Sequence, residues 1–388
     1  MAGTAGALMC RRRRPAVPVR MRKGAALLIV LGALALLGAL SVAGLGAVLH
    51  AQRAGRRSSV AASAFAAAEG ARATAMGEWS ARVPPDLAVG SSVGWSAGSW
   101  NGATTTVTVT RLAPLVVRLE GHSSAPGPAN ERAARRSTAA LWIVQPPMLT
   151  VHAALTAGAE IVSGAAAATE VRLDGRDSLV AGWNCSAADT ASLPALATGA
   201  AVTLPPSSLV GGWLADSGAS LAARYQLAWP APDTLRWAPP LIFAGDLTAA
   251  PIAPRLDGVG GCRTGSVEPT NWGDPQRPSA CSGWLPLIHL HGNLDGPVGR
   301  GQGLLLVDGD LTLRGDFRFD GVIVVGGRLS ADGAGNLVTG AILARGAGAG
   351  SHELRALRLR YSSCVVRGAL AAAGVLRPTP ARGWAEWW

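Results

Sequence analysis

An uninterrupted apolar segment near the N-terminus constrains this chain more than any other feature of its sequence. Residues Ala25 to Leu49 contain neither a charged residue nor a proline. At a rise of about 1.5 Å per residue, a helix of this length crosses a hydrocarbon core of about 30 Å. The segment therefore predicts a membrane-spanning helix or a targeting segment, and not the core helix of an ordinary globular domain.

Positive charge is concentrated on the N-terminal side of this segment. The chain has a formal net charge of +11, and most of it comes from seven basic residues among the first 24 positions, where no acidic residue occurs. These residues are Arg11, Arg12, Arg13, Arg14, Arg20, Arg22 and Lys23. Because cytoplasmic flanks carry the excess of Lys and Arg, we expect a single-pass inner-membrane protein with its N-terminus in the cytoplasm and its bulk extracytoplasmic. The small charge that remains gives no reason to expect a nucleic-acid partner.

Two ordinary interpretations of this N-terminus remain open. A cleaved secretory signal has an apolar region of about 7 to 15 residues and a small-residue cleavage site. Here the apolar run is longer, and the sequence HAQRAGRRSS after it is a poor site of that kind. A plain uncleaved anchor needs only the apolar run. The residues at the start of the run favour a third interpretation.

A basic leader that ends in glycine stands directly before the apolar helix, in RKGAALL at Arg22 to Leu28. This junction resembles a type III prepilin signal. The run RKGAALLIVLGALALL, with FAAAEGARATA at Phe65 to Ala75, is similar to the N-terminal region of PilX-type pilus assembly proteins. The resemblance implies a minor pilin-like structural subunit of a type IV pilus, which is not an enzyme and needs no cofactor. Its partners would be other pilin or pseudopilin subunits, bound through the N-terminal helix.

The resemblance also implies how the chain is processed. A prepilin peptidase would cut between Gly24 and Ala25 and methylate the new Ala25 amine, removing residues 1–24 as the leader. Most pilins carry Glu at the fifth position of the mature chain, where this sequence has Ile29. Some minor pseudopilins at filament tips also lack that acid, so a priming or tip position is expected. A minor pseudopilin of a type II secretion system is the alternative.

The rest of the sequence predicts an α+β fold that is mainly β. An Ala-rich stretch at residues 50–82 continues the helix, and Val83-Pro84-Pro85 ends it. Residues 83–146 are expected to form a small antiparallel sheet against the helix, because apolar and polar residues alternate there. The alternating segments are Thr104 to Arg111, Leu115 to Glu120 and Thr138 to Val144.

Residues 147–366 contain an internal repeat. Four short apolar segments start 17, 18 and 19 residues apart, and an earlier copy lies at Leu241 to Leu247. The four start at Leu287, Leu304, Val322 and Ala341. Short strands that recur at near-constant spacing before a Gly turn predict the stacked rungs of a short parallel β-helix, or β-solenoid, because one rung cannot bury its own apolar face. Residues 148–174 are expected to supply the first rungs.

The repeat region carries a second resemblance. The stretch from Gly299 to Leu329, with NWGDP upstream at Asn271 to Pro275, resembles the C-terminal β-rich region of pilus assembly proteins with a PilX N-terminal domain. Residues at about 176–283 are rich in Pro, Gly and Trp and predict an irregular insertion. Residues 367–388 are expected to form a tail, with Ser362 and Ser363 capping a short helix before it. Its tryptophans are expected to fold back on the body, and a docking patch for a partner is the alternative.

The cysteines suggest disulfide bonds. Five are present, and the expected leader cleavage would remove Cys10 and leave four in an oxidising compartment, which allows three pairings. Cys262 with Cys281 is favoured, because a bridge there would contribute about 3 kcal/mol to stability by closing a loop of about 20 residues. Cys185 with Cys364 then follows by elimination. Free buried thiols remain the alternative.

No motif in the sequence predicts catalysis. The stretch Gly90-Ser91-Ser92-Val93-Gly94 matches the nucleophile elbow G-x-S-x-G only formally, since no buried strand precedes it and no helix follows. Gly299, Gly301 and Gly303 lack the Lys-Ser/Thr of a phosphate loop and are expected in turns between rungs.

Two groups of residues raise the question of a metal. His289 and His291 share one face of a strand, but no Cys or third His lies close in sequence, so surface residues without a metal are expected. The densest group of acidic residues raises the possibility of calcium binding at the turns, although no EF-hand pattern supports such a site. That group is Asp308, Asp310, Asp316 and Asp320. A rival function of a different class is a membrane-anchored carbohydrate-binding or carbohydrate-cleaving β-solenoid, for which no paired-carboxylate pattern is evident.

Overall fold

The structure is a computed structural model. Its chain consists of two units, with the boundary between Ala62 and Ser63. Each unit is described by itself. The residues described are 25–84, 87–126, 134–163, 171–180, 183, 185, 192–215, 236–238, 240–248, 251–256, 262–263, 268–274, 281, 283–346, 350–379 and 384–387.

All described residues of the first unit belong to one long helix, and the same helix supplies the first residues of the second unit. This helix, α1 (Ala25–Arg82), is 58 residues long. It ends where the Val83 N–H donates to the Trp79 carbonyl oxygen at 2.9 Å. Pro84 follows, and proline has no N–H with which to continue the helical bonding. The predicted long apolar helix is therefore present, and it ends where the sequence indicates.

An antiparallel sheet opens the β-rich part of the second unit. Its first four strands pair in chain order: β1 (Ser92–Trp100), β2 (Ala103–Ala113), β3 (Val116–Ala125) and β4 (Ala134–Gln145). Burial alternates along β3, as expected when one face of a strand is covered. The sequence prediction omits β1, because SVGWSAGSW has Gly and Ser where a strand normally has β-branched residues.

Two parallel sheets make up most of the remaining second unit. The strands are β5 (Leu155–Ala157), β6 (Ile161–Ser163), β7 (Arg172–Asp174), β8 (Leu196–Thr198), β9 (Leu209–Val210), β10 (Trp213–Ala215), β11 (Leu241–Phe243), β12 (Leu247–Thr248), β13 (Pro251–Ile252), β14 (Leu287–Leu290), β15 (Leu294–Asp295), β16 (Val298–Val307), β17 (Leu311–Leu313), β18 (Phe317–Val325), β19 (Leu329–Ala331), β20 (Leu337–Ala344), β21 (His352–Leu354) and β22 (Arg358–Arg360). One sheet has the order β12-β15-β17-β19-β21-β6, and the main path of the other is β10-β8-β5-β20-β18-β16-β14-β11.

The internal repeat determines the register of the larger parallel sheet. Leu287 pairs with Leu304, Leu304 with Val322, and Val322 with Ala341, so the starts of the four repeated segments align. The earlier copy is offset by one residue, since Leu241 pairs with Ile288. Stacked apolar side chains from these strands form the core, and most of them are fully buried.

The spatial order of the strands departs from their order along the chain. β20, near the C-terminus, pairs in parallel with β5, so the last repeat lies against the first strands of the region rather than at an outer edge. The irregular insertion predicted at about 176–283 also holds more regular structure than the sequence indicates. Six short strands from its described residues, β8 to β13, pair into the two parallel sheets.

The C-terminal residues pack onto both kinds of sheet. The helix α2 (Ser363–Ala372) lies against β16, β18 and β20. Its cap differs from the prediction, because Ser362 makes no capping bond and the carboxylate of Asp177 accepts from the Ser363 N–H at 2.9 Å. The strands β23 (Val375–Pro378) and β24 (Trp384–Trp387) both pair with β4, so the tail folds back on the antiparallel sheet.

Candidate functional site

The first half of α1 presents an apolar surface that no described residue of its unit covers. None of the most apolar stretch of this helix is buried. Large side chains around the helix, such as Leu28 at 73% and Leu37 at 59%, are exposed. The polar Ser41 side chain donates to the Leu37 carbonyl oxygen at 2.8 Å, which satisfies it without water. A helix that is apolar on all sides needs lipid or protein around it.

The second half of α1 has one buried face made of small side chains. Within the second unit this face lies against the antiparallel sheet, where its residues recur three or four positions apart and are almost fully buried. They are Ala64, Ala67, Ala68, Ala71, Ala75 and Trp79. Since alanine adds little beyond Cβ, the helix and sheet backbones approach closely.

The helix and the sheet backbone approach each other closely at Gly121 of β3. A Cβ atom there would collide with the Ala68 carbonyl oxygen and come within 2.9 Å of the Arg72 side chain. Two positions along, the hydroxyl of Ser123 donates to the Ala64 carbonyl oxygen. Position 121 therefore has room for hydrogen only.

We predict that Gly121→Ala lowers the free energy of unfolding of the second unit by about 1 to 3 kcal/mol, because the added methyl group must push helix and sheet apart. The matched control is Gly77→Ala on the same helix, where a Cβ atom meets nothing within 4 Å. That change should raise stability by about 0.5 to 1 kcal/mol through helix propensity. Urea unfolding followed by tryptophan fluorescence measures both. Equal effects of the two substitutions would contradict the close packing.

Tryptophans fix the end of the helix against the rest of the second unit. The Trp79 indole is 1% exposed, donates to the Trp237 carbonyl oxygen at 3.3 Å and meets the Trp237 ring edge-on at 5.9 Å. The Arg111 guanidinium lies 4.8 Å from the Trp237 ring centroid, and burial lowers the pKa of Arg111. The Trp95 indole donates to the Glu78 carboxylate at 3.0 Å. These contacts hold the last turns of α1 in one orientation within the second unit.

Two disulfide bonds connect distant parts of the second unit. Cys262 bonds to Cys281 and Cys185 to Cys364, with Cα–Cα distances of 4.9 and 5.7 Å. These are the two pairings that the sequence analysis favours. At the proposed cleavage site, Ala25 is the first residue of α1 and Gly24 lies outside the described residues. The fifth cysteine, Cys10, also lies outside them.

The formal catalytic motifs do not form sites among the described residues. Ser92 begins β1, and its hydroxyl bonds to the Thr110 hydroxyl at 2.8 Å rather than to a histidine. Gly299, Gly301 and Gly303 lie inside β16 and not in turns, which corrects the expectation for them. A Cβ atom at Gly299 or Gly303 would collide with the backbone of a neighbouring segment, and one at Gly301 would lie 2.9 Å from the Trp272 side chain. Close packing against neighbouring segments therefore accounts for these glycines.

The acidic group at residues 308–320 does not converge on one point. Asp310 lies 3.7 Å from Arg328, while Asp316 takes a positive φ of 55°. Asp320 is buried, which raises its pKa to about 6; a Thr339 hydrogen bond opposes this rise and the Asp274 charge adds to it. Among the described residues the four aspartates form no common metal-binding group.

Asp308 instead meets the two histidines that the sequence analysis singled out. Its carboxylate oxygens lie 2.9 Å from His289 Nε2 and 2.8 Å from His291 Nδ1. Partial burial acts to raise the pKa of Asp308, but the hydrogen bonds and charges of the two histidines outweigh it, so that this pKa lies below its ordinary value. Sequence reasoning missed this group because the histidines and the aspartate belong to different repeats. The near-constant repeat length is the signal that would have aligned them.

Comparison with known proteins adds little to this description. No family model matches the sequence, and no curated protein matches it. Among solved structures, the competence-associated pilin ComZ from Thermus thermophilus is similar over 77% of this chain and 86% of its own, with 11% sequence identity and a TM-score of 0.16. At that TM-score the likeness carries no argument, and what the chain does must be inferred from its own residues.

The described residues therefore offer two features with functional potential: the bare apolar half of α1 and the cluster of His289, His291 and Asp308. The first is large, and no described residue of its unit covers it, so it is suited to a lipid or protein environment. The second is small and has a chemistry of its own.

Proposed function

We propose that the chain is a pilin-like structural subunit that acts by self-association and catalyses no reaction. The observation that carries the proposal is the contrast between the two halves of α1. Its first half exposes apolar side chains on all sides, and its second half packs through alanines onto an antiparallel sheet. A helix built in this way serves first as a membrane anchor and later packs against the same helix of other subunits. The β-rich unit would then face outward.

The proposed orientation follows from the charges around the apolar segment. Seven basic residues precede it, so the N-terminus is assigned to the cytoplasm and the β-rich unit to the extracytoplasmic side of the inner membrane. Disulfide bonds in the β-rich unit fit an oxidising compartment. After processing by a prepilin peptidase, the subunit would leave the membrane for a cell-surface filament.

We assign the subunit to the PilX type of minor pilin, in a priming or tip position. The junction at Arg22 to Leu28 and the β-rich block at Gly299 to Leu329 support that type. Ile29 supports the position, since it supplies no carboxylate to meet a neighbour's N-terminal amine. The parallel sheets, with repeated segments in register, support a short β-solenoid within the second unit. A minor pseudopilin of a type II secretion system would use the same helix.

Mass spectrometry of the N-terminus tests this proposal. We expect the mature chain from membranes to lack residues 1–24 and to begin with a methylated Ala25. Gly24→Val should leave the leader attached, because the peptidase requires glycine there by the resemblance. The control Gly32→Val, inside the apolar helix where a Cβ atom meets nothing within 4 Å, should be processed normally.

Two outcomes would refute this role. An intact leader in assembled, functional material would leave the helix without the processing that filament entry needs. Cleavage near residue 52 would make the apolar segment an ordinary secretory signal and would favour a released or differently anchored carbohydrate-binding solenoid.

A further inference from the structure

The cluster of His289, His291 and Asp308 is formed by two neighbouring strands of the larger parallel sheet. His289 lies on β14 and His291 follows its end, while Asp308 directly follows β16. β14 and β16 pair in parallel with Leu290 opposite Val307, which brings His291 and Asp308 to equivalent positions. The backbone holds both in place, because the His291 N–H donates to the Phe243 carbonyl oxygen and the Asp308 N–H to the Leu290 carbonyl oxygen, each at 2.9 Å.

The three side chains converge at the surface. Their ligand-type atoms all lie within 4.8 Å of one another, and the two imidazole rings are 4.0 Å apart between centroids. The His289 side chain is 17% exposed, that of His291 46% and that of Asp308 54%. Buried neighbours on β14 limit the freedom of His289, while the other two side chains open to solvent.

Asp308 differs in its pairing from other carboxylates of these sheets. Several of those form ion pairs with arginine: Asp174 with Arg176, Asp295 with Arg314, Asp310 with Arg328 and Asp332 with Arg355. Within the described part of the chain, the ion pairs of Asp308 are with the two histidines alone. No guanidinium of the described residues therefore pairs with its oxygens, and two imidazole nitrogens are directed at the same carboxylate.

We propose that His289, His291 and Asp308 form a binding site for a divalent transition-metal ion of the zinc type. Zn²⁺ binds imidazole nitrogen and carboxylate oxygen at about 2.0 to 2.2 Å, which in a tetrahedral site places the ligand atoms about 3.4 Å apart. The observed spread of the three atoms comes within reach of that spacing through side-chain rotations on the order of 1 Å. The ion would join two adjacent repeats.

The ligand set selects the class of metal. Imidazole suits Zn²⁺, Cu²⁺, Ni²⁺ and Co²⁺, whereas Ca²⁺ and Mg²⁺ take oxygen ligands at higher number. With three protein ligands, a tetrahedral ion keeps a fourth position, and the exposure of His291 and Asp308 places that position toward solvent. Water would fill it in the isolated chain.

Cobalt binding to the full-length chain in detergent tests the proposal. The protein should carry a histidine-free affinity tag and the substitution Cys10→Ser, so that neither a tag nor the thiol at position 10 binds metal. The other four cysteines are disulfide-bonded. We expect Co²⁺ to give a saturable visible absorption at one ion per chain, which Zn²⁺ abolishes and Ca²⁺ leaves unchanged.

Three substitutions and two controls locate the ion. His289→Gln, His291→Gln and Asp308→Asn should each lower Co²⁺ affinity by at least about tenfold, since even outer-shell partners have effects of that size. The controls are His122→Gln, a histidine bonded to Ser137 on the antiparallel sheet, and Asp295→Asn, a surface carboxylate paired with Arg314. Both should bind Co²⁺ like the parent chain.

Urea unfolding without metal shows whether a variant binds Co²⁺ weakly because it has lost a metal ligand or because it is misfolded. The His291→Gln and Asp308→Asn variants should unfold close to the parent, because these two side chains are exposed, and only the parent and the controls should gain resistance to urea when Zn²⁺ is added. The absence of a saturable cobalt signal in the parent, or equal affinity in the variants and the controls, would show that the cluster is an ion-paired group and not a metal site.

Discussion

Replacing Gly321 by alanine should lower the free energy of unfolding by more than about 3 kcal/mol, enough to prevent normal accumulation of the protein. Gly321 lies within β18, where Gly303 of β16 pairs with it on one side and Gly340 of β20 on the other. A Cβ atom at Gly321 would collide with the Gly303 carbonyl oxygen, and one at Gly340 would collide with that of Gly321. Both collisions are with backbone, which cannot move without breaking the ladder.

A glycine without close neighbours provides the control for this effect. Gly245 lies between β11 and β12, its φ is outside the left-handed region, and a Cβ atom there would meet nothing within 4 Å. Gly245→Ala should change the free energy of unfolding by no more than about 0.5 kcal/mol. Urea unfolding of both variants, followed by tryptophan fluorescence, measures the difference. If Gly321→Ala were as stable as Gly245→Ala, the parallel packing of β16, β18 and β20 would have to be wrong.

The column of Gly303, Gly321 and Gly340 also shows how far sequence reasoning reaches in this protein. The spacing of the apolar segments predicts which residues pair, and the four segment starts do stand in register. The same pattern does not explain Gly303, which is expected in a turn and lies inside a strand. Periodicity identifies buried strands, but the distance between two backbones depends on the neighbouring strand, which the local sequence does not contain.

Long-range pairing accounts for most of the other differences. The contact of β20 with β5 joins segments that are distant in sequence, and β23 and β24 return to β4 across the whole parallel region. Nothing in LTA at Leu155 to Ala157 indicates that partner. The helix, by contrast, is local in origin, and its apolar run, Ala-rich continuation and terminal prolines sufficed to place α1.

The candidate sites follow the same division. The bare half of α1 is evident from composition, since no charge interrupts it. The sequence indicates that Asp308 lies near His289 and His291 only when the two repeats, whose starts are 17 residues apart, are aligned. The register of β14 and β16 follows that alignment and brings the three residues into contact. To find such a site in a sequence, the polar residues at the ends of successive repeats must be aligned with one another, just as the apolar residues are.

Removing the bridge between Cys185 and Cys364 should destabilise the second unit more than removing the one between Cys262 and Cys281. The two bridges span 179 and 19 residues of sequence. The entropy of closing loops of these lengths in the unfolded chain corresponds to about 5 and about 3 kcal/mol, respectively. Cys364 lies in α2, which packs on β16, β18 and β20, so the longer bridge also ties that helix to Cys185.

The comparison uses two double variants, Cys185→Ser with Cys364→Ser and Cys262→Ser with Cys281→Ser, so that neither bridge leaves an unpaired thiol behind. Urea unfolding midpoints should fall in both, and further in the first. Native contacts beside the longer bridge moderate the difference, because the Ser363 N–H still donates to Asp177 and the Ser178 hydroxyl to the Tyr361 carbonyl oxygen. A larger loss in the Cys262 and Cys281 variant would mean that loop length does not govern the stability of this unit, and that the short bridge stabilises the folded state directly.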